Sequence, residues 1–298
     1  MKRVLVTGAN GFVGRACLPR LLERGFEVHA VSRSVPPASA IVQWHHANVK
    51  SRAEMQGLLS NLRPTHLLHL AWYTQPGAFW ASPENLDWLH CSIELFREFE
   101  LSGGSRIVAT GSCAEYDWTT GLCHEQATPC RPNTLYGRTK LATATFLEAM
   151  SQDNMSTAWA RLFFMFGPEA SAVRIPGAII SALNRNEPAK YSDGTQERDF
   201  LHIDDVARGI VTLVDSAVAG PVNICSGTAI PIREIARQVA ELLGKPELLQ
   251  IGALPTSASE PALIVGDNAR LREELGWSPS LTLCQGLSQT IAEWQPRG

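Results

Sequence analysis

The chain lacks the features that would direct it to a membrane, a nucleic acid or an oxidising compartment. It has no long hydrophobic run. Met1-Lys2-Arg3 opens like an export signal, but Val4-Leu5-Val6 ends at Thr7-Gly8, far short of an export core or a membrane span. No block of Lys or Arg exceeds a couple of residues and the formal net charge is −3, which argues against a nucleic-acid groove or a polybasic membrane patch. The seven cysteines are odd in number, scattered and without a Cys-x-x-Cys, so reduced thiols are expected rather than a disulfide framework. Cys123-His124 with Cys130 fits no zinc spacing, and His66-x-x-His69 lies in an apparent strand, where an offset of three points to opposite faces. No metal is therefore expected. A Gly-x-x-x-x-Gly-Lys-Ser/Thr motif is also missing, which excludes a nucleoside-triphosphatase phosphate loop. What remains is a soluble, cytoplasmic protein whose partner is a small molecule.

With 298 residues and 45% hydrophobic content, the chain can build one large or two closely packed domains. Its first half alternates short apolar runs with helical segments, the pattern of a parallel sheet covered on both faces. Strands are expected near 3–7, 27–31, 41–45, 66–70, 105–110 and 156–163, with helices over 12–25, 51–62, 83–101 and 134–151. The fold class is α/β: a Rossmann-type doubly wound parallel sheet with a smaller C-terminal α/β substrate lobe. Residues 1–165 form the dinucleotide domain in this reading, rejoined by part of 203–226, and 166–298 form the substrate domain. Gly167-Pro168, Ile175-Pro176-Gly177 and Glu187-Pro188 break the second half into short pieces. Two helices there still show the 3.6 period, through Val206, Ile210, Leu213 and Val214 and through Ile232, Ile235, Ala236, Val239 and Leu242.

The apolar run Val4-Leu5-Val6 leads into Gly8-Ala9-Asn10-Gly11-Phe12-Val13-Gly14 and then a helix. Strand, glycine turn and helix are the context a dinucleotide site requires. Gly8 permits the turn, Gly11 lets backbone approach a pyrophosphate, and Gly14 lets helix and strand pack closely. Asn10, Phe12 and Val13 fall in the same cofactor loop. The second strand ends in Ser32-Arg33-Ser34, where a carboxylate would hold the ribose 2′-hydroxyl of NAD and repel a 2′-phosphate; Arg33 stands there instead. NADP(H) is favoured over NAD.

Tyr136 and Lys140 lie four apart in a helical segment, which sets a phenol beside an ammonium. A phenol titrates near about 10, and bringing it to neutrality takes roughly 3 to 4 kcal/mol of differential stabilisation, within reach of one close cation and a cationic cofactor ring. The spacing alone also describes a surface Tyr beside a Lys. The glycine loop argues for the chemical reading.

These residues resemble the extended short-chain dehydrogenase/reductase family, in its nucleotide-sugar epimerase, dehydratase and reductase branch, over nearly the whole chain. Gly-x-x-Gly-Phe-x-Gly at 8–14 matches the extended form. The resemblance implies cofactor contacts at Asn48 and Val49 and at Leu70, Ala71 and Trp72, and it puts Ser112 of Thr110-Gly111-Ser112 at the catalytic hydroxyl position. Asp193-Gly194-x-x-x-Arg198-Asp199-Phe200 looks like the substrate-lobe stretch and Leu275-Gly276-Trp277 like the C-terminal signature. By this resemblance Lys140 holds the nicotinamide ribose and biases Tyr136 toward phenolate, Ser112 binds the reacting carbonyl, and Tyr136 carries the proton.

The departures narrow the reaction. Family dehydratases carry Asp-Glu after the catalytic hydroxyl residue; Cys113-Ala114 stand here, and Glu115 is one position further on. The Asn that meets the diphosphate is Phe164, and a later Arg is Ser257. Arg198 is left as the diphosphate clamp unless it pairs with Asp199 or Asp204, and Cys113 is expected at the substrate. The favoured expectation is NADP(H)-dependent reduction of a keto group, C4 first, of a nucleotide-linked 6-deoxy sugar. The alternatives are 4-epimerisation and a non-catalytic dinucleotide-binding protein. The resemblance hints at a homodimer through helices such as 83–101 and 134–151.

Overall fold

Val4, Val6 and Leu5 are fully buried, with Val4 and Val6 in one apolar cluster and Leu5 in another on the opposite face of the same strand. That alternation, with both faces dry, makes this strand the centre of a two-sided sheet. The structure is a computed structural model and describes residues 2–34, 41–152, 154–168, 170, 172, 174–256 and 260–294. In chain order the first half runs β1 (Arg3–Thr7), α1 (Phe12–Glu23), β2 (Glu27–Ser32), β3 (Gln43–His46), α2 (Arg52–Leu62), β4 (His66–His69), α3 (Glu84–Leu101), β5 (Arg106–Ser112), β6 (Leu122–Cys123), α4 (Leu135–Ala149) and β7 (Ser156–Leu162). The second half follows with β8 (Phe164–Phe166), α5 (Gly177–Asn184), β9 (Ala189–Tyr191), β10 (Glu197–His202), α6 (Ile203–Val214), β11 (Gly220–Ile224), β12 (Ala229–Pro231), α7 (Ile232–Leu242), β13 (Leu249–Ile251), β14 (Leu263–Gly266), α8 (Ala269–Glu273) and α9 (Leu283–Ala292).

Seven strands form one parallel sheet in the order β11-β7-β5-β4-β1-β2-β3. The order reverses between β1 and β4, and such a switch point opens a crevice beyond the carboxyl ends of the strands. Helices α1 and α6 cover one face, α2, α3 and α4 the other. A smaller sheet runs β12-β10-β14-β6, with β8 pairing β10. Helices α5, α7 and α9 share a separate apolar core with it. The chain crosses between the two sheets: β11 returns to the large one and β6 leaves the first half for the small one.

Most element ends agree with expectation, and the differences have local causes. Thr134 accepts from Gly137 N at 3.1 Å and so starts α4 at Leu135. Gly25, at φ 74°, follows the earlier end of α1. β5 runs on to Ser112 because its register with β7 continues to Leu162. Residues 41–42 do not join β3, and Ile41 is exposed. Among the described residues no helix is long and apolar enough to cross a membrane.

Candidate active site

The β1–α1 loop is shaped by close backbone approach. Gly8 has φ 67°, and a Cβ on it would meet Ala71 N at 2.6 Å; one on Gly14 would meet the Gly8 carbonyl oxygen at 2.3 Å. Gly11, the residue before α1, has no side chain with which to cap the first helix amides. This cradle fits the diphosphate of a dinucleotide, which backbone amides and the helix dipole would hold. Phe12 and Val13 brace it against the core. The Asn10 side chain accepts from Arg15 Nη2 at 2.7 Å.

The remaining cofactor candidates lie at the carboxyl ends of β2, β3 and β4. Arg33 is exposed directly after β2. Asn48 uses Oδ1 on its own turn, accepting from Lys50 N at 3.1 Å, while Val49 is buried. Ala71 N donates to Thr7 Oγ1 at 3.4 Å, and Leu70 is half-buried beside it. The Trp72 indole donates to Asn85 Oδ1 at 2.9 Å, which holds its ring against Lys140.

Ser112 ends β5 and opens a short turn, Cys113–Glu115; its Oγ accepts from Ala114 N at 3.2 Å. Helix α4 rides against that turn. A Cβ on Gly137 would stand 2.4 Å from the Ala114 carbonyl oxygen, so glycine at this position lets Tyr136 reach Ser112. Tyr136 is 8% exposed, edge-on to Phe79 at 4.9 Å and to Trp80 at 5.7 Å between ring centres. Lys140 Nζ donates to the Thr110 carbonyl at 2.8 Å and sits 3.8 Å from the centre of a Trp72 ring.

Burial works against the expected phenolate. Burial pushes the Tyr136 phenol well above its ordinary range; the Ser112 hydroxyl opposes this most, and Arg174 adds a smaller pull in the same direction. Burial also lowers the Lys140 ammonium to about 7, with the Glu115 carboxylate opposing. Lys140 Nζ is turned to the Thr110 carbonyl and the Trp72 ring.

Glu115 does not take the place of a dehydratase acid. It is completely buried, paired with Arg161 Nε at 2.8 Å, and accepts from Trp159 Nε1 at 3.0 Å and Ser112 N at 2.7 Å. The trace of this in the sequence is Gly111, where a Cβ would come within 2.1 Å of Trp159 Nε1 and 2.4 Å of Glu115 Oε1. Cys113 is buried in an apolar cluster with Cys123, Phe163 and Cys225, and burial raises its thiol.

Arg198 requires correction. It was expected to stay open for a diphosphate or to pair with Asp199 or Asp204. It is 3% exposed and bonds Glu260 Oε1 at 2.9 Å and the Glu197 carbonyl at 2.8 Å. Asp199 is taken by the Ser226, Gly227 and Gly266 amides. Phe164 lies 5.7 Å from the Arg198 guanidinium, ring centre to Cζ. Ser257 lies outside the described residues. Arg174, near Tyr136, carried no motif and was missed.

The model of the NAD dependent epimerase/dehydratase family matches residues 4–225. This chain belongs to that family. Within it, the chain is 27% identical to the UDP-glucose 4-epimerase of Streptomyces lividans, across 93% of this chain and 92% of the relative. It is 26% identical to UDP-glucuronic acid decarboxylase 1 of Xenopus tropicalis, across 97% and 71%. Among solved structures, MoeE5 in complex with UDP-glucuronic acid and NAD superposes with a TM-score of 0.84 at 28% identity, covering 98% of both chains. The chain is thus an enzyme of the extended short-chain dehydrogenase/reductase, nucleotide-sugar epimerase/dehydratase type.

Proposed function

We propose that this enzyme moves hydride at C4 of a nucleotide-linked hexose and completes the cycle as a 4-epimerisation. The observation that carries this is the meeting of Ser112, Tyr136 and Lys140 in one buried corner beside the glycine cradle. A bound nicotinamide dinucleotide supplies the hydride acceptor and donor. Ser112 Oγ orients the C4 oxygen; Tyr136, as phenolate, takes the C4 hydroxyl proton as hydride leaves C4, and as phenol it returns that proton to the C4 carbonyl when hydride comes back. Lys140, near neutrality, lets charge leave or enter the corner as that proton moves. Phe79, Trp80 and Trp72 keep water from the exchange. Dehydration is disfavoured because Cys113 and Ala114 offer no acid and base, and Glu115 is committed to Arg161.

A second reading is net reduction of a 4-keto-6-deoxy sugar with NADPH. Arg33 at the end of β2 supports it, as a cation suited to a 2′-phosphate, although MoeE5 was solved with NAD. Absorbance at 340 nm separates the two: an epimerase leaves it unchanged while the C4 epimer accumulates, and a reductase consumes NADPH stoichiometrically. In either case Tyr136→Phe is expected to lose roughly 100-fold to 10,000-fold in turnover with its fold intact. Full turnover by that variant overturns the catalytic assignment.

A further inference from the structure

Arg174 precedes α5 and stands near Tyr136, in a surrounding that leaves its charge uncommitted. Its guanidinium lies 5.2 Å from the Phe79 ring centre, and Phe79 is one of two rings that meet Tyr136 edge-on. Nη2 donates to the Thr74 carbonyl at 3.3 Å, a long bond that uses one of five N–H donors. Arg174 is exposed as a residue, although its guanidinium is partly desolvated against Phe79. Two other arginines of the site are each closed by a carboxylate, Arg161 by Glu115 and Arg198 by Glu260. Among the described residues no carboxylate pairs with Arg174. Phe79 touches both groups, Arg174 at 5.2 Å and Tyr136 at 4.9 Å, which places the guanidinium at the reacting end of the site.

An open guanidinium presents a planar fork that matches a carboxylate with two parallel hydrogen bonds, and it gains little from a neutral hydroxymethyl group. Resting on the C4 reading above, we infer that Arg174 is a substrate-specificity residue that holds a carboxylate borne by the hexose beside the carbon Tyr136 serves. The substrate class is then nucleotide-linked uronates. Such a ligand carries one other anionic group, the diphosphate, but that group is common to every nucleotide sugar and would give no preference between a uronate and its neutral hexose.

The test uses the NAD-loaded protein, with UDP-glucuronate against UDP-glucose, the matching thymidine pair, and UDP alone. Binding is read from tryptophan fluorescence and chemistry from the C4 epimer ratio. The uronate is expected to bind on the order of tenfold more tightly than its neutral partner. Arg174→Gln should abolish that preference while leaving hexose and UDP affinities within about twofold, and Arg174→Lys should restore part of it. Equal binding of the pair, no uronate binding, or better turnover of the neutral hexose overturns the inference and leaves the C4 reading standing. So does an Arg174→Gln loss shared by uronate, hexose and UDP, which marks a diphosphate contact. Selective, Arg174-dependent uronate binding without change at C4 sustains the inference and overturns the C4 reading instead.

Discussion

Lys140 and Arg198 are both cations at 3% exposure, yet the two halves of the molecule treat them in opposite ways. In the large sheet, Lys140 has no carboxylate partner among the described residues; it is fixed by a strand carbonyl and an indole, and burial brings its ammonium down to about 7. In the smaller lobe, Arg198 is neutralised by Glu260, 62 residues away in sequence. Arginine keeps its proton almost regardless of burial, so it demands a counter-charge, whereas a buried lysine can lose its proton instead. One half therefore holds a group able to titrate, and the other a permanent charge held in check by a displaceable carboxylate.

The sharpest attack on this contrast is at Glu115, where the sheet half holds an ion pair with both partners buried. Removing one partner of a buried pair leaves the other charge unpaired. Glu115→Ala is therefore expected to cost about 3 to 5 kcal/mol in denaturant unfolding. It should also reduce turnover beyond what the stability loss explains, because Ser112 N loses its acceptor. Unchanged stability would mean that strand register alone sets the end of β5.

A smaller effect is expected at Glu260, which is 40% exposed at its side chain. Glu260→Gln frees the Arg198 guanidinium at little cost to stability, and affinity for UDP should rise on the order of tenfold, about 1.4 kcal/mol. Unaltered UDP affinity in calorimetry would show that Arg198 serves the lobe's structure rather than its ligand.

The smallest shift concerns Lys140 and has a definite sign. A cation whose folded value lies near 7, below its ordinary 10.5, penalises the folded state at low pH. The penalty is complete below about pH 7 and vanishes as pH rises toward about 10.5. Lys140→Met should accordingly raise Tm by roughly 2–4 °C at pH 6 and by nothing at pH 10.5 in ligand-free protein. The same rise at both pH values would show that apolar packing, not charge burial, is responsible.

The sheet half was legible in advance because its signals are local. Val4-Leu5-Val6, the glycines at 8, 11 and 14, and the Thr134 start of α4 each act within a few residues, and parallel topology then carries Gly8, Ala71 and Ser112 to the same end of the sheet. The lobe, and the contacts between distant segments in both halves, were legible only in outline. Glu260 on Arg198, Arg161 on Glu115 and Arg174 beside Phe79 join residues that no periodicity connects. The upward push of burial on the Tyr136 phenol was hidden for the same reason, since four-residue spacing fixes which helix face the two side chains share but not what surrounds them.

The sequence by itself determined the family, the central parallel sheet and the identity of the Ser112, Tyr136 and Lys140 groups, because strand pattern, glycine turns and helix starts are short-range properties of the chain. Tertiary structure alone decided the burial of Tyr136 and Lys140 and the company of each arginine. Burial and counter-charge depend on which distant segments fold against a group, and those terms raised Tyr136, lowered Lys140, closed Arg198 and left Arg174 open.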